Sequence, residues 1–524
     1  MGKYINLGND YFRSSLRREY VDKSGLIRVV NDTLKTDIRF SCITRCRRFG
    51  KSMAAKMLAA YYDHSCDSHE LFQNLKIARD PSFQEHLNKY PVIYLDMTAF
   101  VTRYKDAIVV KQIEGALIED IHKAYPEVPV KENGDLMDLL LDINEVRHEQ
   151  FVFIIDEWDA ICREYDPKTK AMEDYINWLR RMFKSADGLT VFAAVYITGI
   201  LPIKKYNTES ALNNFREYSM VVPGKLSEYF GFTKEEVRLL AEKYGMDFDE
   251  LEKWYDGYRI GTVPSIFNPN SVMTALDNGA CQSYWSATGA YDRVAEYIQM
   301  NHEGLKDNII SMLGGMRCPV DPTGFQNDLS EVASRDDVLT VLIHLGYLSY
   351  DLEEQECFIP NREVASEMAN AVKKTKWKPV ADALQKSKEL LKATINGNEE
   401  AVAQAIDAAH DENTSILSYN NENSLACVIS IAYYAARNDY ILHREMPAGK
   451  GFADLIFRPR NNVDKPALVV ELKKDKTAEA AIDQIKRKSY PAAVVDYLDN
   501  LLLVGINYDE KSKQHTCKIE RYSE

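Results

Sequence analysis

No run of about 18 apolar residues occurs in the sequence, so a membrane-spanning helix is not expected. No apolar core follows Met1-Gly2-Lys3-Tyr4-Ile5-Asn6, which argues against a secretory leader. The 9 cysteines, spread from Cys42 to Cys517, contain no Cys-x-x-Cys pair and no zinc-ligand spacing, and their odd number suits free thiols in a reducing compartment. A cytoplasmic protein with no membrane partner is the expectation. Internal repeats and low-complexity runs are missing as well. So is any excess of positive charge. With 65 Lys and Arg against 79 Asp and Glu, the net charge of -14 argues against coating nucleic acid by bulk electrostatics. Two local basic clusters remain able to meet phosphate. One is Arg45, Arg47, Arg48 and Lys51; the other is Lys473, Lys474, Lys476, Lys486, Arg487 and Lys488.

What is present is ordinary globular material: 524 residues, 45% hydrophobic and 27% charged, enough for two to four domains. From Ile38 to about Val222 short apolar strands alternate with amphipathic helical stretches, the pattern of an α/β domain with a largely parallel sheet. The strands fall at Arg39–Thr44, Val92–Asp96, Phe151–Asp156 and Thr190–Thr198. Between about Lys225 and Pro360 the pattern is mainly helical, opening on a capping box at Thr233 and Glu236. A helix around Val338–Leu345 and a following β-hairpin give that region a winged-helix-like ending. From Glu363 to about His410 a helical connector is broken into two pieces by Gly397-Asn398. The last module, from about Leu417, reads αβββαββ. Its helix lies around Asn421–Arg437, its first strand at Tyr440–Glu445 and a tight turn at Ala448–Gly451. Two strands carrying Asp454 and Glu471 follow, then a helix at Ala478–Lys488 and strands near Leu501–Gly505 and Thr516–Tyr522.

Two places carry chemistry. Arg45-Cys46-Arg47-Arg48-Phe49-Gly50-Lys51-Ser52 follows a strand and opens a helix, the setting of a phosphate loop. There the main-chain N–H groups of Arg48, Phe49 and Gly50 would face phosphates, Lys51 would reach the β and γ phosphates, and Ser52 would ligate Mg²⁺. The motif departs from Gly-x-x-x-x-Gly-Lys-Ser at Arg45, and alone it equally suits a basic helix start. Phe151-Val152-Phe153-Ile154-Ile155-Asp156-Glu157 supplies the partner: Asp156 for the Mg²⁺ shell and Glu157 to polarise the attacking water. The bland alternative is an acidic N-cap after a buried strand. Near the other end, Asp454 on one apolar strand and Glu471-x-Lys473 at the end of the next would converge at one sheet edge. Two carboxylates there can hold Mg²⁺ or Mn²⁺ beside a lysine, as in a metal-dependent nuclease. Gln484 and Lys488, one turn apart on the following helix, either face the phosphate backbone or form a solvated face.

The chain resembles the AAA-ATPase-like proteins that carry a C-terminal PD-(D/E)XK nuclease-superfamily domain. The resemblance rests on Tyr20-Val21-Asp22-Lys23-Ser24, Arg47-Arg48-Phe49-Gly50-Lys51-Ser52, Asp156-Glu157-Trp158-Asp159, Ile197-Thr198-Gly199-Ile200 and Ala211-Leu212-Asn213-Asn214. It continues through Phe230-Gly231-Phe232-Thr233, Trp254-Tyr255-Asp256-Gly257-Tyr258, Leu345-Gly346-Tyr347-Leu348 and Ile359-Pro360-Asn361. That family has Arg-Pro-Arg-Arg before its Phe-Gly-Lys-Ser, so Arg45 is normal for it while Cys46 replaces the proline.

The resemblance implies an α/β chain in four parts. These are an AAA-like P-loop ATPase domain at 1–224, a helical or winged-helix-like region at 225–362, a helical connector at 363–416, and a PD-(D/E)XK nuclease-like domain at 417–524. It implies ATP as cofactor and DNA or RNA as partner, with Asp454, Glu471 and Lys473 as the nuclease triad. It makes Glu422 a further metal ligand, or else a helix-start acid, and Thr198 a sensor of the γ-phosphate, or else a strand-end turn former. It brings Tyr20 and Asp22 toward the nucleotide base. ATPases of this type form rings or dimers, so a homo-oligomer is open, with Arg180, Arg181 and Arg216 as arginine-finger candidates by position only. Two functions compete: an ATP-hydrolysing protein with a metal-dependent nuclease, and a nucleotide-dependent sensing or nucleic-acid-binding protein whose nuclease fold is silent.

Overall fold

The computed structural model describes residues 2–104, 108–165, 169–203, 205–206, 209–210, 212–285, 291–300, 302, 304–326, 332–374, 378–413, 429, 432–438, 440–448, 451–459, 465–488, 494 and 497–522. The chain divides into two compact units, Met1–Trp285 with Pro319–Glu363, and Ser286–Cys318 with Val364–Glu524.

In the first unit five strands form one sheet: β1 (Phe40–Thr44), β2 (Val92–Asp96), β3 (Phe151–Asp156), β4 (Phe192–Gly199) and β5 (Arg216–Tyr218). Their order is β2-β3-β4-β1-β5, and every neighbouring pair is parallel. All residues of β3 and β4 are buried, as continuous apolar runs require of strands covered on both faces. Side chains alternate between those faces. Phe153 and Ile155 join Ile113 and Leu117 of α2 (Val109–Ala124), Leu139 of α3 (Leu136–Arg147) and Trp178 of α5 (Lys170–Lys184). Val152 and Ile154 meet Ala55 and Leu58 of α1 (Lys51–Tyr62) on the other face. A short helix, α4 (Ala160–Glu164), follows β3. Because the strands are parallel, Thr44, Asp156 and Thr198 reach the same sheet edge, which is where a ligand site belongs in such a sheet.

The fourth strand begins two residues later than the expected Thr190. Residues Ala186–Val191 make a short helix instead. Arg39, expected in the first strand, lies just before it and donates from Nη1 to the carbonyls of Leu189 (2.8 Å) and Phe192 (2.9 Å). A cation at the carbonyl end of a short helix stabilises that end, and it outweighs the strand preference of Thr190 and Val191.

Beyond the sheet come α6 (Lys234–Tyr244), α7 (Phe248–Tyr255) and an antiparallel pair, β6 (Tyr258–Ile260) with β7 (Val263–Phe267). The capping box at the start of α6 is formed. Thr233 N donates to Glu236 Oε2 at 2.9 Å, and Glu236 N to Thr233 Oγ1 at 3.4 Å. Later in the chain, α8 (Arg335–Leu345) leads into the hairpin of β8 (Ser349–Asp351) and β9 (Glu356–Phe358).

A helix, α9 (Arg362–Lys374), carries the chain into the second unit. Its successors are α10 (Lys378–Ile395) and α11 (Glu399–Asn413), parted at Gly397 with φ +70°. The connector is thus three helices rather than two pieces. A mixed sheet follows, built from β10 (Tyr440–Ala448), β11 (Gly451–Pro459), β12 (Ala467–Lys474), β13 (Leu501–Asp509) and β14 (Gln514–Arg521), neighbours in chain order. Only β12 and β13 are parallel, joined through α12 (Ala478–Arg487). Most of the expected helix at Asn421–Arg437, Glu422 included, lies outside the described residues.

Gly257 sits at φ +94°, and a Cβ there would stand 1.9 Å from the carbonyl oxygen of Pro360. Gly257→Ala therefore lowers the stability of the first unit by about 2 kcal/mol or more, through strain and overlap together. Chemical denaturation followed by circular dichroism measures this; an unchanged midpoint would show that the backbone relaxes freely there.

Candidate functional site

The loop between β1 and α1 is shaped by a buried arginine. Arg45 is fully buried, and its Nη1 donates to the carbonyls of Thr44 (2.8 Å), Tyr218 (2.8 Å) and Ser219 (3.0 Å). This corrects the expectation that Arg45 belongs to a phosphate-facing basic cluster. Main-chain carbonyls supply what an unpaired guanidinium needs away from water. Gly50, at φ +88° with nothing near its missing Cβ, turns the loop into the helix. Lys51 is buried at 3% exposure and donates from Nζ to the carbonyls of Arg45 (3.0 Å) and Cys46 (3.1 Å). Glu157 Oε1 lies 3.8 Å from the same Nζ.

Behind the loop, Thr198 Oγ1 donates to Asp156 Oδ1 at 2.5 Å, and the Tyr94 hydroxyl donates to Asp156 Oδ2 at 3.1 Å. Glu157 N points at Thr198 Oγ1, 3.4 Å away. Burial pushes the Glu157 carboxyl above its ordinary range, Asp159 and Asp156 add to that, and Lys51 and Arg163 oppose it. Asp156, Glu157, Lys51 and Thr198 are thus brought together as the strand-end pattern required.

A cavity of about 1030 Å³ opens beside them. Arg48, Phe49, Gly50, Lys51, Ser52 and Glu157 line it; Asp156 and Thr198 lie beneath rather than on its wall. Tyr20, Met57, Tyr229 and Phe232 add an apolar side. The Tyr20 hydroxyl contacts the Met57 sulfur at 3.4 Å. Asp22 is turned elsewhere, accepting from the main-chain N–H of Ser24 (2.8 Å) and of Lys76 (2.6 Å), so its role is to hold the N-terminal segment. A loop that opens a helix, a lysine and an apolar wall in one cavity suit a nucleoside triphosphate. Of the arginine-finger candidates, Arg181 pairs with Glu114 at 3.2 Å on the surface.

In the second unit, Asp454 and Glu471 stand one residue beyond the paired Leu455 and Val470 of β11 and β12. Asp454 Oδ2 accepts from Leu472 N at 2.7 Å. Glu471 is buried at 1% exposure, and its Oε1 accepts from Lys473 Nζ at 2.7 Å and from the side-chain amide of Gln484. Gln484 thus serves the acid, not the phosphate backbone. Glu471 Oε2 is buried and has no hydrogen-bond partner among the described residues. Burial above all, then the nearby Asp454 charge, push the Glu471 carboxyl up to about 7, against the pull of Lys473 and Lys488. A bare buried carboxylate oxygen beside a second carboxylate suits a divalent cation. Among the described residues no group of three or more His, Cys, Asp or Glu surrounds a point in space. Among the described residues Asp454 and Glu471 are the carboxylates at this sheet edge, and two protein carboxylates match the habit of Mg²⁺ of keeping several waters.

Sequence reasoning missed Tyr94, Arg163 and the inward turn of Arg45. Nothing local marks them, since each finds its partner through the tertiary fold. Asp159 was quoted only as part of a motif, yet its fully buried Oδ2 accepts from Ile200 N (3.2 Å) and Leu201 N (3.0 Å).

Comparison with known proteins agrees with this layout. A family model described as "Predicted AAA-ATPase" matches residues 12–208, and one for the PD-(D/E)XK nuclease superfamily matches residues 420–518. Residues 12–208 thus match the AAA-ATPase-like family, and residues 420–518 match the PD-(D/E)XK nuclease superfamily. An "Uncharacterized protein in vnfD 5'region" of Azotobacter chroococcum mcd 1 is 23% identical over 290 residues, 54% of this chain and 52% of that protein. The chain thus spans about half the length of that curated relative. A solved structure of the Aeropyrum pernix ORC2 protein, in ADPNP–ADP complexes, aligns with 67% of this chain and 93% of its own, at 13% identity and a TM-score of 0.25.

The environment of Glu471 has a measurable consequence. Its carboxyl sits near 7 in the fold against an ordinary 4.5, so folding favours the protonated form. That stability is fully present below about pH 4.5 and is lost as pH rises through about 7. It amounts to on the order of 3 kcal/mol or less, at about 1.4 kcal/mol per pH unit. In chelator, denaturation of the wild type at pH 5 and pH 8 shows the drop, and Glu471→Gln removes it. The opposite slope would mean that Glu471 is held ionised.

Proposed function

We propose that the first unit binds and hydrolyses ATP and that the nuclease-superfamily domain cleaves phosphodiester bonds of DNA or RNA with Mg²⁺ or Mn²⁺, the nucleotide regulating the cut. The observation that carries the reading is the pairing, in each domain, of a strand-end glutamate with a lysine: half-buried Glu157 with Lys51 beside the cavity, and buried Glu471 with Lys473. In the ATPase half, Lys51 would leave its loop carbonyls to meet the β and γ phosphates, while the N–H groups of Arg48, Phe49 and Gly50 receive phosphate oxygens. Ser52 and Asp156 would hold Mg²⁺, Asp156 kept in place by Tyr94 and Thr198. Glu157 would orient the attacking water, and Thr198, bonded to Asp156 and facing Glu157 N, would sense the γ-phosphate through them.

In the nuclease half Asp454 and Glu471 would hold the metal ion, which when bound lowers the pKa of a water and offsets charge on the scissile phosphate. Gln484 holds Glu471 through Oε1, and Oε2 would be left for the ion. Lys473 would stabilise the developing charge on the phosphate. The net charge of -14 favours a second reading, in which the nuclease fold is silent and the protein senses or binds nucleic acid under nucleotide control.

The test uses single- and double-stranded DNA and RNA with Mg²⁺ or Mn²⁺, with and without ATP. Wild type cuts at least one substrate; Asp454→Ala and Lys473→Ala lower cleavage by about 100-fold or more. Lys51→Ala abolishes ATP binding, whereas Glu157→Gln binds ATP and does not turn it over. Absence of cutting under every condition would leave the sensing protein, and unchanged ATP binding by Lys51→Ala would dismiss the phosphate loop.

A further inference from the structure

Arg163 on α4 is the first-unit side chain whose position the reading above does not use. Its guanidinium is 7% exposed and bridges two acids of the loop after β3. One nitrogen, Nη2, donates to Glu157 Oε2, and Nε lies 3.1 Å from Asp159 Oδ2. Asp159 in turn is anchored by the N–H groups of Ile200 and Leu201, directly after the strand that carries Thr198. A Cβ on Gly199 would stand 2.7 Å from Asp159 Oδ1, so that acid is packed against the end of β4 as well. Glu157 itself lies at φ +54°, a conformation that a glutamate holds only when its surroundings fix it.

We infer that Arg163 is the positioning residue of the ATPase site: anchored through Asp159, it grips one oxygen of Glu157 and thereby aims the other, Oε1, toward Lys51 and the phosphate side of the cavity. The inference deepens the ATPase reading and rests on it. The groups facing Glu157 are Lys51, Asp156, Asp159 and Arg163. Removing Arg163 frees Glu157 Oε2, and the aim of Oε1 is lost. Binding of ATP, which depends on the loop and Lys51, is left intact.

The experiment is steady-state ATP hydrolysis by the full chain, with ATP binding and thermal melts measured on each variant. Arg163→Ala lowers kcat by about tenfold or more and leaves KM for ATP within about twofold, a fraction of the ~10²–10⁴-fold effect of a general base. Arg163→Lys, which retains the charge but cannot reach both acids, binds ATP like the wild type with kcat lowered about fivefold. If Arg163→Ala fails to fold, the lysine variant decides: a wild-type kcat overturns the inference. So does a folded alanine variant with unchanged kcat, or one whose loss lies in ATP binding. A wild type that binds ATP and never hydrolyses it overturns the ATPase reading itself, and the role of Arg163 with it.

Discussion

The buried guanidinium of Arg45 sets the shape of everything around the nucleotide loop. Withdrawing such a group from water costs several kcal/mol unless its donors are met, and here they are met by carbonyls at the ends of two strands. The first residue of the loop is thereby fastened to the edge of the sheet between β1 and β5. Its own carbonyl and that of Cys46 then point at Lys51 Nζ. The ring of Phe230 packs 5.3 Å from the guanidinium, and the next residue, Gly231, donates its N–H to the carbonyl of Phe49 at 3.2 Å. Both ends of the loop therefore depend on one cation that never faces a phosphate. A glycine at position 45 would leave the carbonyls of Tyr218 and Ser219 without this donor.

Much of this was legible in the sequence, for a physical reason. The run from Phe151 to Ile155 can only be a strand covered on both faces, and parallel strands end on one edge, so Asp156 and Thr198 had to lie near Gly50-Lys51-Ser52. Asp454 and Glu471 were legible likewise, from two apolar strands joined by a short loop. The destinations of Arg45, Arg163, Tyr94 and Gln484 were not. Each is a long polar side chain whose partner lies on another element, and sequence spacing carries no record of that partner. Asp22 shows the converse: a motif residue with an attractive functional setting is used to tie down backbone at Ser24 and Lys76.

Glu157 and Glu471 differ in how their charge is held. Glu157, half-buried, is flanked by Lys51 and Arg163, and the pull of these cations opposes burial and two neighbouring aspartates. Glu471 has Lys473 on one oxygen and Lys488 nearby, against burial and Asp454, and among the described residues its second oxygen has no hydrogen-bond partner. Each glutamate therefore has two cations near it, and the difference lies in the bare oxygen. A divalent cation is the simplest group that would remove both the repulsion from Asp454 and that bare oxygen.

The nucleotide loop is also wired to the places where the chain leaves the first unit. Arg48 Nη1 donates to the carbonyl of Tyr284 at 3.0 Å, one residue before Trp285, and Tyr284 N donates to Glu363 Oε1 at 2.7 Å. The other carboxylate oxygen of Glu363 accepts from Ser271 Oγ at 2.8 Å, and the residue is fully buried. Trp285 and Glu363 are the last residues of the first unit before its two segments pass into the second. A buried carboxylate with fixed donors resists displacement, so the connection is stiff at Glu363 and adjustable at Arg48, whose φ of +68° is held by its loop. Arg48 lines the cavity and donates to Tyr284, so a ligand that drew on its guanidinium would compete for that bond. A ligand shifts a structure only by what it binds differently in its two states, and the Arg48–Tyr284 bond is where such a difference would first act.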